Sequence, residues 1–494
     1  MNLSKQTINK KLLLTVLLLG SFLSVLNQTL LNVALPDLMK LFDVSPSTIQ
    51  WLSTGFMLVN GILVPATAYL MKRFTTRQLF LSSMVLLLIG TLLNAVAPTF
   101  TVLLIGRMIQ AAGAGIIMPL LMTVVLVIFP EEGRGTAMGT IGLVMIFAPA
   151  IGPTLAGFVI ESLSWRWLFI GMSPLIFIVI LLSLKFLVNV SETSKAKLDI
   201  TSIILSTIGF GGILYGFSSA GSKGWGSTVV LSYLIGGAIF LVLFCWRQLT
   251  STDPLLDIRV FKNKVFTITT IVSTFVMMVM YGDMILLPIY LQTARGYSVL
   301  ETGLLLLPGA LINALMSPLS GRLFDKVGAK PLALIGLILI IPSMWGVTHL
   351  TETTSFTYLM VRTIILRIGL SCMTMPLSAA GLNALPKQMN AHGSAVNNTV
   401  RQLAGAIGTA LVITIFTNSS TEHATTLMHE GAISSKAQLL LDASILGMND
   451  AFFFSTIMAI LALVVTFFMA GKKADSKQRQ APAERGNLNH AEEQ

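Results

Sequence analysis

Fourteen long apolar runs, separated by short polar stretches, leave this chain few choices of fold. They fall at roughly 12–34, 49–70, 79–97, 101–129, 136–160, 168–187, 200–220, 229–246, 265–291, 302–321, 331–348, 358–380, 393–417 and 449–470. About 20 apolar residues cross a ~30 Å hydrocarbon core as a helix, and continuous runs of this length do not suit the short alternating segments of a barrel. With 54% hydrophobic and only 11% charged residues over 494 positions, the chain reads as an all-α polytopic membrane protein.

Basic residues give an orientation. Lys72, Arg73, Arg77, Lys195, Lys197, Lys262, Lys264, Arg322, Lys326 and Lys330 fall on the side of the N-terminus, against Lys40, Arg166, Lys223, Arg295 and Lys436 on the other. Both termini are therefore expected in the cytoplasm. Trp51, Trp165, Trp167, Trp225 and Trp345 near outer ends, and Trp246 near an inner end, fit an interfacial belt. The net charge of +11 is scattered over short loops and the tail, which suits topology and anionic lipid rather than nucleic acid. Lys5, Lys10 and Lys11 before the first run look like the start of a signal peptide, but that run is long, contains Asn27 and ends at Pro36, so it is expected to stay as an uncleaved helix. Cys245 and Cys372 lie inside runs and suggest no disulfide framework.

Polar residues inside apolar runs mark candidate sites. Ser21, Ser24, Gln28 and Asn32 recur every three or four residues, with Asn27 alongside, and should line a cavity. In the stretch Gly139 to Gly157, Ala148, Gly152 and Ala156 recur every four residues and admit another backbone closely. Pro149 and Pro153 remove amide donors one turn apart, so this helix should bend or loosen. It is either a joint between moving bundles or an ordinary tight packing face. Arg107, about two turns inside the fourth run, faces a bundle interior or water, or serves a structural salt bridge. Asp283 is the one carboxylate placed well inside a run. Desolvation favours a protonated carboxylate, so Asp283 is a candidate for proton exchange, or else a partner for Arg107, Arg362 or Arg367.

The stretch L-N-Q-T-L-L-N-V-A-L-P, Leu26 to Pro36, resembles the first-helix motif of the fourteen-span drug:proton antiporters of the major facilitator superfamily, with Asn27 where those relatives usually carry aspartate. Gln50, Trp51 and Thr54 continue the likeness. The loop A-Y-L-M-K-R-F-T-T-R resembles a worn copy of the superfamily's cytoplasmic loop motif: Arg73 and Arg77 are kept, while Ala68, Lys72 and Thr75 stand for glycine, aspartate and glycine. A better copy is Gly321, Leu323, Asp325, Lys326, Gly328 and Lys330. It follows the tenth run, whereas a six-plus-six superfamily would place it after the eighth, so two helices are inserted between the halves. Met118-Pro119-Leu120 and Met375-Pro376-Leu377 echo each other as half-repeats do. The expected organisation is a six-helix bundle at 1–199, an inserted pair at 200–246, a second six-helix bundle at 247–471 with a long polar outer loop at 418–448, and a cytoplasmic tail at 472–494.

The resemblance implies site roles. G-R-M-I-Q-A-A-G-A-G places Arg107 where the family has a basic residue near the proton route, and with Asp283 it makes the expected proton-coupling pair. Gly139, Gly152, Pro153 and Gly157 match the antiporter motif, with Ala148 and Ala156 replacing glycines, which points to export. N-N-T-V-R-Q-L-A-G-A-I-G puts Asn397 and Arg401 on one face. The substrate cavity is expected at Asn27, Gln28, Asn32, Trp51, Tyr281 and Asn397. The cytoplasmic gate is expected at Arg73, Arg77, Gly321, Asp325, Lys326, Gly328, Lys330 and Arg401, either as a latch between bundles or as a topogenic charge cluster.

His423 and His429, near Glu422 and Glu430, are read as part of a solvated loop, so no metal and no cofactor is expected, only protons as coupling ion. No P-loop or Gly-x-Ser-x-Gly supports ATP-driven transport or catalysis. The chain is thus expected to be a monomeric, multi-pass exporter of lipophilic small molecules in a bacterial cytoplasmic membrane, similar to the lincomycin- and multidrug-resistance exporters of Gram-positive bacteria. Export of an endogenous metabolite such as a fatty acid or siderophore is the alternative. A non-transporting membrane sensor is a further one, disfavoured by the lack of a soluble domain.

Overall fold

The computed structural model describes residues 10–469 except 45, 50, 191–198, 253 and 431–434, so the expected tail lies outside the described residues. The first half contains α1 (Lys10–Leu41), α2 (Pro46–Ile49), α3 (Trp51–Arg73), α4 (Thr76–Ala95), α5 (Phe100–Ile128), α6 (Glu131–Ser162) and α7 (Arg166–Phe186). A hairpin of α8 (Ile200–Lys223) and α9 (Thr228–Thr250) follows. The second half contains α10 (Lys264–Thr293), α11 (Val299–Val327), α12 (Ala329–Trp345), α13 (Phe356–Ser371), α14 (Thr374–Asn383), α15 (Asn390–Glu430) and α16 (Lys436–Phe467). Among the described residues there is no strand.

Each apolar run falls on a helix, the run 358–380 being divided between α13 and α14. Among the described residues, eleven helices are long and apolar enough to cross a membrane, or twelve if the two arms of a bent α3 count as one span. Fourteen spans are therefore more than this measure supports; α12, for one, is only 17 residues long.

The two loop-motif copies end their helices differently. Gly328 closes α11 at φ +87°, a left-handed conformation that favours glycine. In the worn copy Thr75 sits in extended backbone instead and opens α4 with a reciprocal capping box to Gln78. Thr75 thus replaces a glycine without strain, because the chain turns there by another route.

The expected outer loop at 418–448 is a correction. α15 runs unbroken for 41 residues to Glu430 and α16 begins at Lys436, so this stretch is mostly the tip of a helical hairpin. At ~1.5 Å per residue α15 is about 61 Å long, well beyond a ~30 Å membrane core. The polarity of Thr417 to Glu430 marks where the helix leaves an apolar setting. It does not mark where the backbone unwinds, since no Gly or Pro interrupts Thr409 to Glu430.

The main contact between the halves is α6 against α11. The α8–α9 hairpin leans on both, touching α3 on one side and α15 on the other. One apolar core fills the first half and continues across the crossing into Phe324, Met375 and Leu382, and a second core fills the other half.

Candidate functional site

Between the halves lies a cavity of about 120 Å³. Ser21, Ser24 and Gln28 of α1, Asn60 of α3, Met118 of α5, Met145 of α6, Tyr281 of α10, and Asn398, Arg401 and Gln402 of α15 are among its walls. Gln402 donates to Asn60 Oδ1 at 2.9 Å and ties the two halves at this level. The polar face read on α1 is present at Ser21, Ser24 and Gln28, and Tyr281 also takes its expected place.

Other expected cavity residues lie elsewhere. Asn27 is buried and turned toward α5, where its side-chain and main-chain oxygens accept from Arg107 Nη1 at 3.0 and 3.2 Å. Trp51 stacks on Tyr215 of α8, ring centroids 5.6 Å apart. Asn397 is buried against α14 and donates to Ser378 Oγ at 3.1 Å, so the cavity position belongs to Asn398. A helix turns about 100° per residue, so a face read one residue out points a side chain into a neighbouring helix. The side chains of Asn32 and Pro153 lie outside what the structure describes.

Arg401 is a larger correction. It lies eleven residues into α15, about 16 Å along the helix from its first residue, and lines the cavity rather than a gate at the helix start. Its Nη1 is buried and has no hydrogen-bond partner.

Each half holds a deeply buried arginine centre. In the first, Arg107 of α5 donates to Asn27 of α1, to Gln110 Oε1 at 3.0 Å and to the Leu52 carbonyl at 3.4 Å, and its guanidinium lies 4.4 Å from the Phe56 ring centre. In the second, Arg362 of α13 donates to Asp283 Oδ1 of α10 at 2.5 Å and to the Ser343 carbonyl at 2.9 Å. Arg367 reaches Asp283 Oδ2 at 3.3 Å. Asn27 on α1 and Asp283 on α10, the long first helices of the two halves, each accept from the buried arginine of their own half, one through an amide and the other through a carboxylate. Arg107 and Asp283, expected to act together, have separate partners in separate halves.

At the face where α6 begins and α11 ends, Asp325 binds across the crossing. Its Oδ1 accepts from the Gly135 amide at 2.8 Å, and its Oδ2 accepts from the amide and the hydroxyl of Thr136, both at 2.9 Å. Ser317 Oγ donates to the Gly139 carbonyl at 2.9 Å, and Arg134 Nη1 donates to Asn383 Oδ1 at 2.9 Å. A Cβ on Gly321 would overlap the Gly135 carbonyl, and one on Gly139 would press on the Ser317 carbonyl. These glycines allow the helix axes close enough for Asp325 to reach main-chain amides. Farther along α6, Gly152 packs against Thr29 of α1, whereas a Cβ on Gly157 would meet nothing within 4 Å among the described residues. The small-residue stripe therefore serves two neighbours: its first part the other half, its second part α1.

Two further gate candidates turn to their own half. Arg77 Nη2 donates to the Leu184 carbonyl near the end of α7, and Lys330 Nζ donates to the Phe467 carbonyl at the end of α16, at 2.5 and 2.9 Å. Each basic group satisfies the last turn of the final helix of its own half, as cations at helix C-termini do. Arg73 and Lys326 are exposed.

Comparison with known proteins fits this geometry. The family model of the Major Facilitator Superfamily matches residues 17–409. The lincomycin resistance protein LmrB of Listeria monocytogenes is 43% identical, covering 92% of this chain and 96% of that protein. The multidrug export protein EmrB of Haemophilus influenzae is 29% identical over 84% of this chain and 82% of its own length. In fold alone, the chain resembles the crystal structure of the human organic anion transporter MFSD10, with a TM-score of 0.67 at 14% identity, covering 93% of this chain and 99% of that one.

Proposed function

The chain belongs to the Major Facilitator Superfamily, and we propose on that premise that it is a proton-coupled multidrug exporter of the bacterial cytoplasmic membrane, moving small lipophilic compounds by alternating access. The observation that carries the reading is a cavity at the interface of the halves, with the face at the start of α6 held shut by Asp325. Rocking the halves about the cavity would break that latch and open this face. The cavity is smaller than the ~300–1,000 Å³ usual for drug-sized ligands, which suits a state closed around its centre. The names of LmrB and EmrB favour drug-like substrates.

Asp283 is the proposed proton carrier. Among the described residues it is the only buried carboxylate, and two arginines hold it. Taking up a proton would cancel the charge that binds Arg362 and Arg367, which couples protonation to movement of α10 against α13. A proton moving inward supplies about 2.3 kcal/mol per 100 mV and about 1.4 kcal/mol per pH unit. Everted membrane vesicles energised with an acidic interior test the proposal: lipophilic dyes, neutral and anionic ones among them, should accumulate inside and leak out when an uncoupler dissipates the gradient. Equal accumulation with and without the gradient would overturn it.

A further inference from the structure

Resting on the exporter reading, we infer that the cavity receives the anionic group of an amphipathic substrate, such as a carboxylate on an apolar body, and that Arg401 is the residue that holds it. Among the described residues of the cavity wall Arg401 is the only charged one. Its Nη1 is buried without a hydrogen-bond partner, and no described carboxylate pairs with it. The one buried acid among the described residues, Asp283, is already bracketed by Arg362 and Arg367.

An uncompensated buried cation is unfavourable, and a ligand that brings the missing negative charge gains a charge-assisted hydrogen bond as it enters. Around Arg401 stand Gln28, Asn60, Asn398, Gln402 and Tyr281, all neutral groups able to donate to further anion oxygens. Val25, Ile117, Met118 and Met145 supply an apolar wall for the rest of the molecule. A cationic ligand would meet a like charge here, with no acid among the described lining residues to offset it.

Three probes sharing one fluorescent body test the inference: 1-pyrenebutyrate, its primary amide, and the corresponding trimethylammonium compound. Binding to the full-length chain in lipid nanodiscs is read by energy transfer from the protein's tryptophans, with empty nanodiscs subtracted. The carboxylate should bind about tenfold or more tightly than the amide, and the cation more weakly than both. Arg401→Gln should bring carboxylate and amide within about twofold of each other, and Arg401→Lys should keep most of the preference. Equal affinities for carboxylate and amide in the unaltered chain, or a preference that survives Arg401→Gln, would overturn the inference. Transport is scored separately in proteoliposomes: probes that bind with the expected preference but are never driven against a gradient would refute the exporter reading alone, and driven export without any charge preference would refute the anion site alone.

Discussion

Asp325 and Thr136, which stand 189 residues apart in sequence, are joined twice: one carboxylate oxygen of Asp325 accepts from both the amide and the hydroxyl of Thr136. The other oxygen takes the neighbouring Gly135 amide. A single acid on α11 thus holds the first turns of α6, and through them the opposite half.

Asp325→Ala removes both acceptor oxygens and the three hydrogen bonds they take. Hydrogen bonds to a charged group contribute about 1.5–3 kcal/mol each at most, so the closed face should open in a substantial share of molecules. A cysteine at Thr140, one turn further into α6 than Thr136, introduced after Cys245 and Cys372 are replaced, should react faster with a polar thiol reagent in the Asp325→Ala protein. Unchanged labelling would remove Asp325 from the gate.

Asp283→Asn should abolish export against a gradient while the protein still reaches the membrane. The substitution also strands Arg362, which is buried and donates to Asp283. Breaking one partner of such a pair costs about 3–5 kcal/mol, so a lowered melting temperature is expected alongside the transport defect. Residual exchange of substrate down its gradient separates lost coupling from lost folding, and sustained uphill export would clear Asp283 of the role.

Asn27→Asp converts the neutral contact with Arg107 into an ion pair like that of Asp283 and Arg362. Because Asn27 faces Arg107 and not the cavity, the variant should melt at a higher temperature and gain no efflux of dicationic dyes. Arg107→Lys should lower the melting temperature, since a lysine cannot supply the fork that reaches Asn27, Gln110 and Leu52 together. New dicationic efflux from Asn27→Asp would show the side chain to be within reach of substrate.

Asp199 caps α8 and receives Nε and Nη2 of Arg247 from α9 at 2.9 and 3.0 Å. Arg247, more than the hydrogen bonds from Ser202, holds the Asp199 carboxyl down to about 2 from its ordinary 3.8, against a partial opposing effect of burial. A depressed carboxyl contributes stability that is present above its unfolded value and lost as pH falls through its folded one. The gap in melting temperature between the unaltered chain and Asp199→Asn should therefore be steady from neutral pH down to about 5 and shrink below about 4. Exposure of the pair keeps the gap small. A gap that widens on acidification would contradict the assignment.

Much of this was legible in the residues, for identifiable reasons. Helices follow from continuous apolarity, and the cavity face of α1 from spacing of three and four at Ser21, Ser24 and Gln28. Asp325 stands out through its place in the better copy of the loop motif, between Gly321 and Gly328. Asn27 and Asn397 were misplaced because each neighbours a cavity residue, and periodicity alone does not resolve a single step around a helix. Arg401 was assigned to the gate from its motif, and only the start of α15 at Asn390 shows how deep it lies. Asn60 with Gln402 went unseen, since two amides in separate apolar runs carry no mark that they pair. Gly135 and Thr136 were missed because the stripe of small residues was read only from Gly139 onward.

The account turns on the latch between α6 and α11 opening in every transport cycle. The most direct measurement is export by a chain carrying Thr136→Cys and Asp325→Cys, with the native cysteines removed, before and after oxidation of that pair. Crosslinking should stop export and reduction of the same sample should restore it; undiminished export by the crosslinked protein would contradict alternating access at this face.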